Sequence, residues 1–220
     1  MTLVAAAALL VGALSACSGG GSKSDCKLFG TIPGIYAEAI KDKDALKEEL
    51  KNTDDWTKVQ EKADKLEAKY TKEIEDAANA WSGTALDIQS DENFKVVTPV
   101  VATFKDFSSK SDITARFTLA GDVEAARDIP IEGSESLAEY YGKYTEKTPA
   151  GNQVKLVCLD AEGNELFDTP FGYAMPKVGD GVLVIPAGSK VQLESLTYSP
   201  KQTENYPKIA TMKLELKKIK

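Results

Sequence analysis

Histidine is absent from all 220 residues. That excludes Ser-His-Asp and Cys-His catalysis, histidine-ligated zinc and an imidazole proton shuttle. Cysteine is scarce, with only Cys17, Cys26 and Cys158. If Cys17 is committed elsewhere, Cys26 and Cys158 are the one possible disulfide pair. The other reading is an exposed tail thiol and a buried strand cysteine. Long apolar runs are missing as well. The run from Leu3 to Leu14 falls short of the roughly twenty residues a helix needs to cross a bilayer. Basic excess is absent: 27 Lys+Arg stand against 34 Asp+Glu, for a net charge of −7. Nucleic-acid phosphates need a basic face, so nucleic acid is not an expected partner. Nor is the acidity concentrated. Residues 27–82 carry 10 Lys and 13 Asp+Glu, and residues 83–220 carry 16 Lys+Arg and 20 Asp+Glu. Neither half has a field strong enough to recruit a partner by charge alone. No Gly-rich phosphate loop precedes a helix, and no acidic loop has the alternating oxygen ligands of an EF-hand. Neither a cofactor nor a metal is expected.

What is present begins at the amino terminus. The apolar run leads into Leu14-Ser15-Ala16-Cys17, and Ser18-Gly19-Gly20-Gly21-Ser22 follows. Its length fits a signal-peptide core, although no Lys or Arg precedes it. The stretch resembles the lipobox of bacterial lipoproteins, a resemblance limited to the first two dozen residues. It implies cleavage before Cys17 and lipid on the Cys17 thiol. It also implies a lipid-anchored place in the bacterial cell envelope, the outer membrane foremost, with the membrane itself as a partner. Residues 1–16 are then a signal peptide, and residues 17–31 are the lipidated cysteine with a flexible tether. Removing residues 1–16 alone leaves 204 residues, which suffice for one sizeable domain or two small ones.

Residues 32–83 carry helical spacing. Pro33-Gly34 punctuates the entry, and Tyr36, Ala39, Ile40, Leu46 and Leu50 mark a first helix. Asn52-Thr53-Asp54-Asp55 breaks it, with Thr53 or Asp54 suited to cap the next. Trp56, Val59, Ala63, Leu66, Tyr70, Ile74, Ala77 and Trp81 then form a nearly unbroken apolar seam. Gly83 is placed to end this helix in a left-handed conformation. The short connection predicts an antiparallel helical hairpin, each helix covering the other's stripe. A coiled-coil surface for a partner helix is the other use of such a seam.

Residues 84–220 change to a period of two. Val96 to Phe104 reads as a strand apolar on both faces, with Pro99 marking an edge or bulge. Ile113, Ala115, Phe117 and Leu119 give a strand with one wet face, closed by a turn at Ala120-Gly121-Asp122. Ser136 and Glu139 have capping-box spacing for a short helix limited by Gly142. Gln153–Leu159 and Glu165–Phe167 flank a hairpin turn. Val182–Ile185, Val191–Leu196 and the alternating Ala210–Leu216 complete the strands. Strands with turn signals and no alternating long helices predict an antiparallel β-sandwich, so the chain is α+β. Leu159-Asp160, Gly163 and Ile185-Pro186-Ala187-Gly188 resemble a pattern of immunoglobulin-like domains in bacterial envelope lipoproteins. That resemblance implies a fold and no activity.

Flat aromatic faces on loops stack on sugars and peptides. Tyr140, Tyr141 and Tyr144 lie between strands, Phe171 and Tyr173 in a long loop after the hairpin, and Tyr206 in a later loop. Tyr140, Tyr141, Tyr144, Tyr173 and Tyr206 are therefore the candidate ligand-binding residues, and Cys17 the lipidation site. The acidic pairs Asp54-Asp55, Glu75-Asp76 and Asp91-Glu92 offer the acid and base of a carboxylate-based hydrolase acting on envelope glycans, the alternative function. Sequence neighbours on a helix do not face one another, so no catalytic residue is assigned. The expectation is a lipid-anchored envelope protein with a non-enzymatic binding or scaffold role, its partner an envelope protein or glycan.

Overall fold

A computed structural model describes residues 27–53, 55–107, 114–144 and 151–216, with only the backbone of 142–144. The described chain starts in the core. Leu28 and Phe29 are buried, and Phe29 and Gly30 both turn at positive φ, 65° and 55°. A side chain at Gly30 would meet the Trp81 ring at 3.0 Å, so the turn closes against the end of the second helix.

Helix α1 spans Ile32–Lys51 and α2 spans Trp56–Trp81, about 30 and 39 Å long at 1.5 Å per residue. They form the expected hairpin. Asp55 caps α2, its carboxylate accepting from Lys58 N at 3.1 Å. Thr53 instead accepts from Asp55 N at 3.2 Å, and Asp54 lies outside the described residues. The α2 seam holds, with Val59, Tyr70, Ile74 and Trp81 buried and Ala63, Leu66 and Ala77 half-buried. Trp56 departs from it. It is 68% exposed at the first helical position, beyond Leu50, the last apolar residue of α1. Tyr70 donates to Asp42 at 2.5 Å across the hairpin, and Lys62 pairs with Glu49 nearer its tip. Only the base joins the main core, through Ile32, Ile74, Ala78 and Trp81. Ile32 and Pro33 are the only buried residues of α1, so the hairpin stands away from the strands over most of its length. Gly83 takes φ +90°, as its position predicted.

The strands are β1 Thr84–Ala85, β2 Phe94–Phe107, β3 Ala115–Ala125, β4 Ile129–Ile131, β5 Asn152–Leu159, β6 Glu165–Ala174, β7 Lys177–Gly179, β8 Val182–Ile185, β9 Val191–Leu193, β10 Ser195–Thr197 and β11 Thr211–Leu216, with α3 at Glu135–Tyr144. They form antiparallel sheets ordered β1-β2-β3-β10, β11-β5-β6-β9 and β4-β8-β7. The helical pair followed by antiparallel sheets makes the fold α+β, compatible with an immunoglobulin-like arrangement. The two larger sheets enclose one core and are joined at both flanks. On one flank β9 pairs with β6 and β10 pairs with β3. On the other, β1 pairs with β2, and Ile88 bridges to Met212 of β11.

Several local expectations are corrected. Gly121 does not close a turn, because β3 runs on to Ala125. The register slips between Thr98 and Val101, opposite Gly121. Pro99 cannot donate to the ladder, so the pairing breaks there and β2 bulges, as the proline suggested. Gly121 sits at φ +153°, where an added Cβ would lie 2.6 Å from Pro99 O. Asp122 N donates to Thr98 Oγ1 at 2.8 Å and pins the bulge. β2 is buried on one face only, with Val97 53% exposed. Val191–Leu196 is two strands, because Glu194 N donates to Phe171 O at 2.9 Å where the chain changes sheets. Phe171 and Tyr173 belong to β6 rather than to a loop; a register shift at Pro170 leaves Phe171 bulged into the core.

Candidate functional site

Helix α3 carries three of the candidate tyrosines, with Tyr140 exposed and Tyr141 half-buried. Buried Ser134 precedes it, donating from Oγ to Ile131 O at 2.6 Å and accepting from Leu183 N at 2.8 Å. The first helical bond, Ala138 N to Ser134 O at 2.8 Å, starts the helix two residues before the expected cap Ser136. Gly142 does not stop it, since the helix runs to Tyr144. Ala138 is buried, whereas Leu137 is 38% and Tyr140 55% exposed. The Tyr140 and Tyr141 rings meet edge-on, 5.5 Å apart at 83°. Tyr144 closes the helix, and its side chain lies outside the described residues.

The remaining candidates are elsewhere. Tyr173 is half-buried in β6, opposite Gln153 and Gln192, with its ring against Gly151. Tyr206 is 2% exposed. Its ring stacks on Tyr198 at 5.1 Å and meets Phe29 and Phe167 edge-on at 5.1 and 5.2 Å. Its hydroxyl accepts from Ser199 N at 2.9 Å. Tyr206 is thus part of an aromatic core, and burial raises its phenol above the usual range. Tyr198 beside it is pushed up to about 12, again by burial, although its hydroxyl pairs with Thr203 at 2.5 Å. Of the five tyrosines, the structure brings together Tyr140 and Tyr141 and encloses Tyr206. No ring contact among described residues joins Tyr173 to the pair.

Cys158 is a free thiol, fully buried on β5. Burial pushes it up to about 12, with Asp168 nearby acting in the same direction. A thiol held in that state is unreactive. Cys158 is therefore the buried strand cysteine of the two readings; Cys17 and Cys26 lie outside the described residues.

Four of the six acids in the candidate acid–base pairs hold local structure, and Asp54 lies outside the described residues. Asp55 caps α2, Asp76 pairs with Lys72, and Glu92 pairs with Arg127 at 3.3 Å. Asp91 accepts from Asn93 N and Phe94 N, both at 2.8 Å. In the β5–β6 turn, Asp160 accepts from Glu162 N and twice from Asn164. Those bonds, the Asn164 side chain first, hold its carboxyl below the usual range. Among the described residues no group of three or more Cys, Asp or Glu is placed to hold a metal ion.

One feature without a sequence signal is a groove of about 450 Å³ between β11 and β4. Four separate segments build it: Asp91–Phe94, Arg127, Ile129–Glu132, and Lys213 with Glu215 and Leu216. Phe94 is buried at its base. Arg127 reaches Asn93 Oδ1 at 3.1 Å, and Lys213 pairs with Glu215 at 2.6 Å along the rim.

Comparison with protein-family models, curated proteins and solved structures finds no match to this chain.

Proposed function

We propose that the protein is a lipid-anchored component of the bacterial cell envelope with a non-enzymatic binding or scaffold role. The observation that carries this reading is Leu14-Ser15-Ala16-Cys17 between an apolar run and a Gly/Ser tract. The start of the fold supports it. Leu28 and Phe29 are buried, so the described domain begins 11 residues after Cys17. A chain extends at most about 3.5 Å per residue, so the domain stays within roughly 40 Å of the lipid. Lipid on Cys17 is the attachment proposed. The two larger sheets are read as an immunoglobulin-like sandwich, a rigid platform for presenting surfaces. On it, Leu137, Tyr140 and Tyr141 offer an apolar, aromatic helix face toward an envelope protein or glycan.

The experiment is metabolic labelling with palmitate in a bacterial host. Label is expected in the wild type and absent from Cys17→Ala. Equal labelling of both, or of neither, ends the anchoring claim.

A further inference from the structure

Residues 27–31 pass between the hairpin and the sheets and hold both. Leu28 and Phe29 are buried. The Phe29 ring lies 5.4 Å from Trp81 at the end of α2 and 5.5 Å from Phe117 of β3. It also meets Tyr198 and Tyr206 edge-on, at 5.5 and 5.1 Å. Lys27 makes the same link through polar atoms. Its carbonyl accepts from Trp81 Nε1 at 3.1 Å, and its Nζ donates to Pro207 O at 2.7 Å. The segment is thus a strap across the joint. Phe29 holds a left-handed backbone within it, a conformation rare for a bulky residue and kept only where packing enforces it. The two parts that the strap joins are unequally held. The hairpin adds only Ile32, Ile74, Ala78 and Trp81 to the buried core, whereas the two larger sheets are paired through long ladders and joined on both flanks.

Chain order decides what a load meets. The strap precedes α1, so tension from the amino-terminal side of Lys27 acts on it before any other described element. Drawing it out takes from Trp81 its hydrogen-bond acceptor and one of its two closest ring partners, leaving Phe117 at 4.9 Å. We propose that the strap is a load-sensitive latch: tension at the amino-terminal end withdraws Phe29 and frees the hairpin while the sheets hold. Release bares Ile74, Ala78 and Trp81, an apolar helix face that the latched domain keeps from other proteins. The latch needs a load and not lipid on Cys17, so either proposal can fail without the other.

The test is extension of the full chain in magnetic tweezers. The chain carries Cys17→Ala and Ala161→Cys, with one handle on Cys26 and the other at position 161 in the exposed β5–β6 turn. Buried Cys158 is shielded from the coupling reagent. The first step is expected to be confined to residues 27–83, at most about 200 Å at roughly 3.5 Å per residue, with the sheets yielding later at higher load. Phe29→Ala should speed the first step by roughly tenfold or more at equal load and leave the second unchanged. Hydrogen exchange without load gives a second reading. In Phe29→Ala the amides of residues 72–81 should open sooner than in the parent, while those of β5 and β6 keep their protection. A single step that takes hairpin and sheets together, sheets that yield first, or a first step indifferent to Phe29→Ala overturns the proposal. So does equal loss of protection in α2 and in β5 and β6, which would make Phe29 an ordinary core residue.

Discussion

Three side chains in the core share one electrostatic cost. Cys158 and Tyr198 are each pushed up to about 12, and Tyr206 is raised as well, in every case chiefly by burial. The folded state therefore holds these protons at pH values where the unfolded chain releases them. Stability from this source is fully present below the unfolded values, 9.0 for the thiol and 10.0 for the phenols, and is lost as pH rises toward 12. For Cys158 alone the loss approaches about 4 kcal/mol across that interval. The melting temperature is expected to be flat near neutrality and to fall above about pH 9. In Cys158→Ala the alkaline slope should be shallower, and an unchanged slope would remove the thiol from this account. Gly121 makes a second case. A Cβ there meets Pro99 O at 2.6 Å and Val100 Cα at 2.8 Å, both backbone and unable to yield cheaply. Gly121→Ala should cost about 1–3 kcal/mol by chemical denaturation. Tyr206→Phe should cost about 1 kcal/mol, since Ser199 N loses its acceptor. Tyr140→Phe, on the surface, should change stability by less than about 0.5 kcal/mol.

Among the elements, the helical hairpin has two unequal halves. Ile74, Ala78 and Trp81 sit in the main core, and the Trp81 ring meets Phe29 and Phe117 at 5.4 and 4.9 Å. Toward the tip, the seam has buried Val59 with half-buried Leu46 and Leu66, none of them in the main core, and the ion pairs there are exposed and contribute little. Hydrogen exchange should show amides near residues 44–64 opening well before those of 72–81. Trp81→Ala should cost about 3–5 kcal/mol and release the hairpin base. Uniform exchange along α2 would contradict this division. The same contrast explains what could be seen in advance. The α2 seam was legible because one helix face carries its whole apolar set. β11 was legible because Met212 and Leu214 alternate with Lys213 and Glu215. β1, β4 and β7 are two or three residues long and have no period to detect. Phe171 and Tyr173 read as loop residues because the strand pattern shows only over Glu165–Phe167, whereas the ladder continues past Pro170 by shifting register. The sheet change at Glu194 depends on Phe171, 23 residues earlier, and no local pattern encodes it. Tyr206 looked like a loop aromatic for a similar reason. Its partners Phe29 and Phe167 are remote in sequence.

For the whole molecule, the account joins a lipid, a short tether and a rigid domain. The two larger sheets are joined on both flanks, through β9 and β10 on one and through β1 and Ile88 on the other. If Cys17 carries lipid, the roughly ten residues before Leu28 would limit how far the α3 face travels from the membrane surface, and partners already in the envelope would be favoured through effective concentration. Cys17→Ala should leave the fold intact while moving the protein from the membrane to the soluble fraction. The most direct measurement is the intact mass of the protein extracted from membranes of a bacterial host. The account predicts a chain that starts at Cys17, with residues 1–16 gone and fatty acyl groups on its first residue. A full-length chain from Met1 with no acyl mass would contradict it.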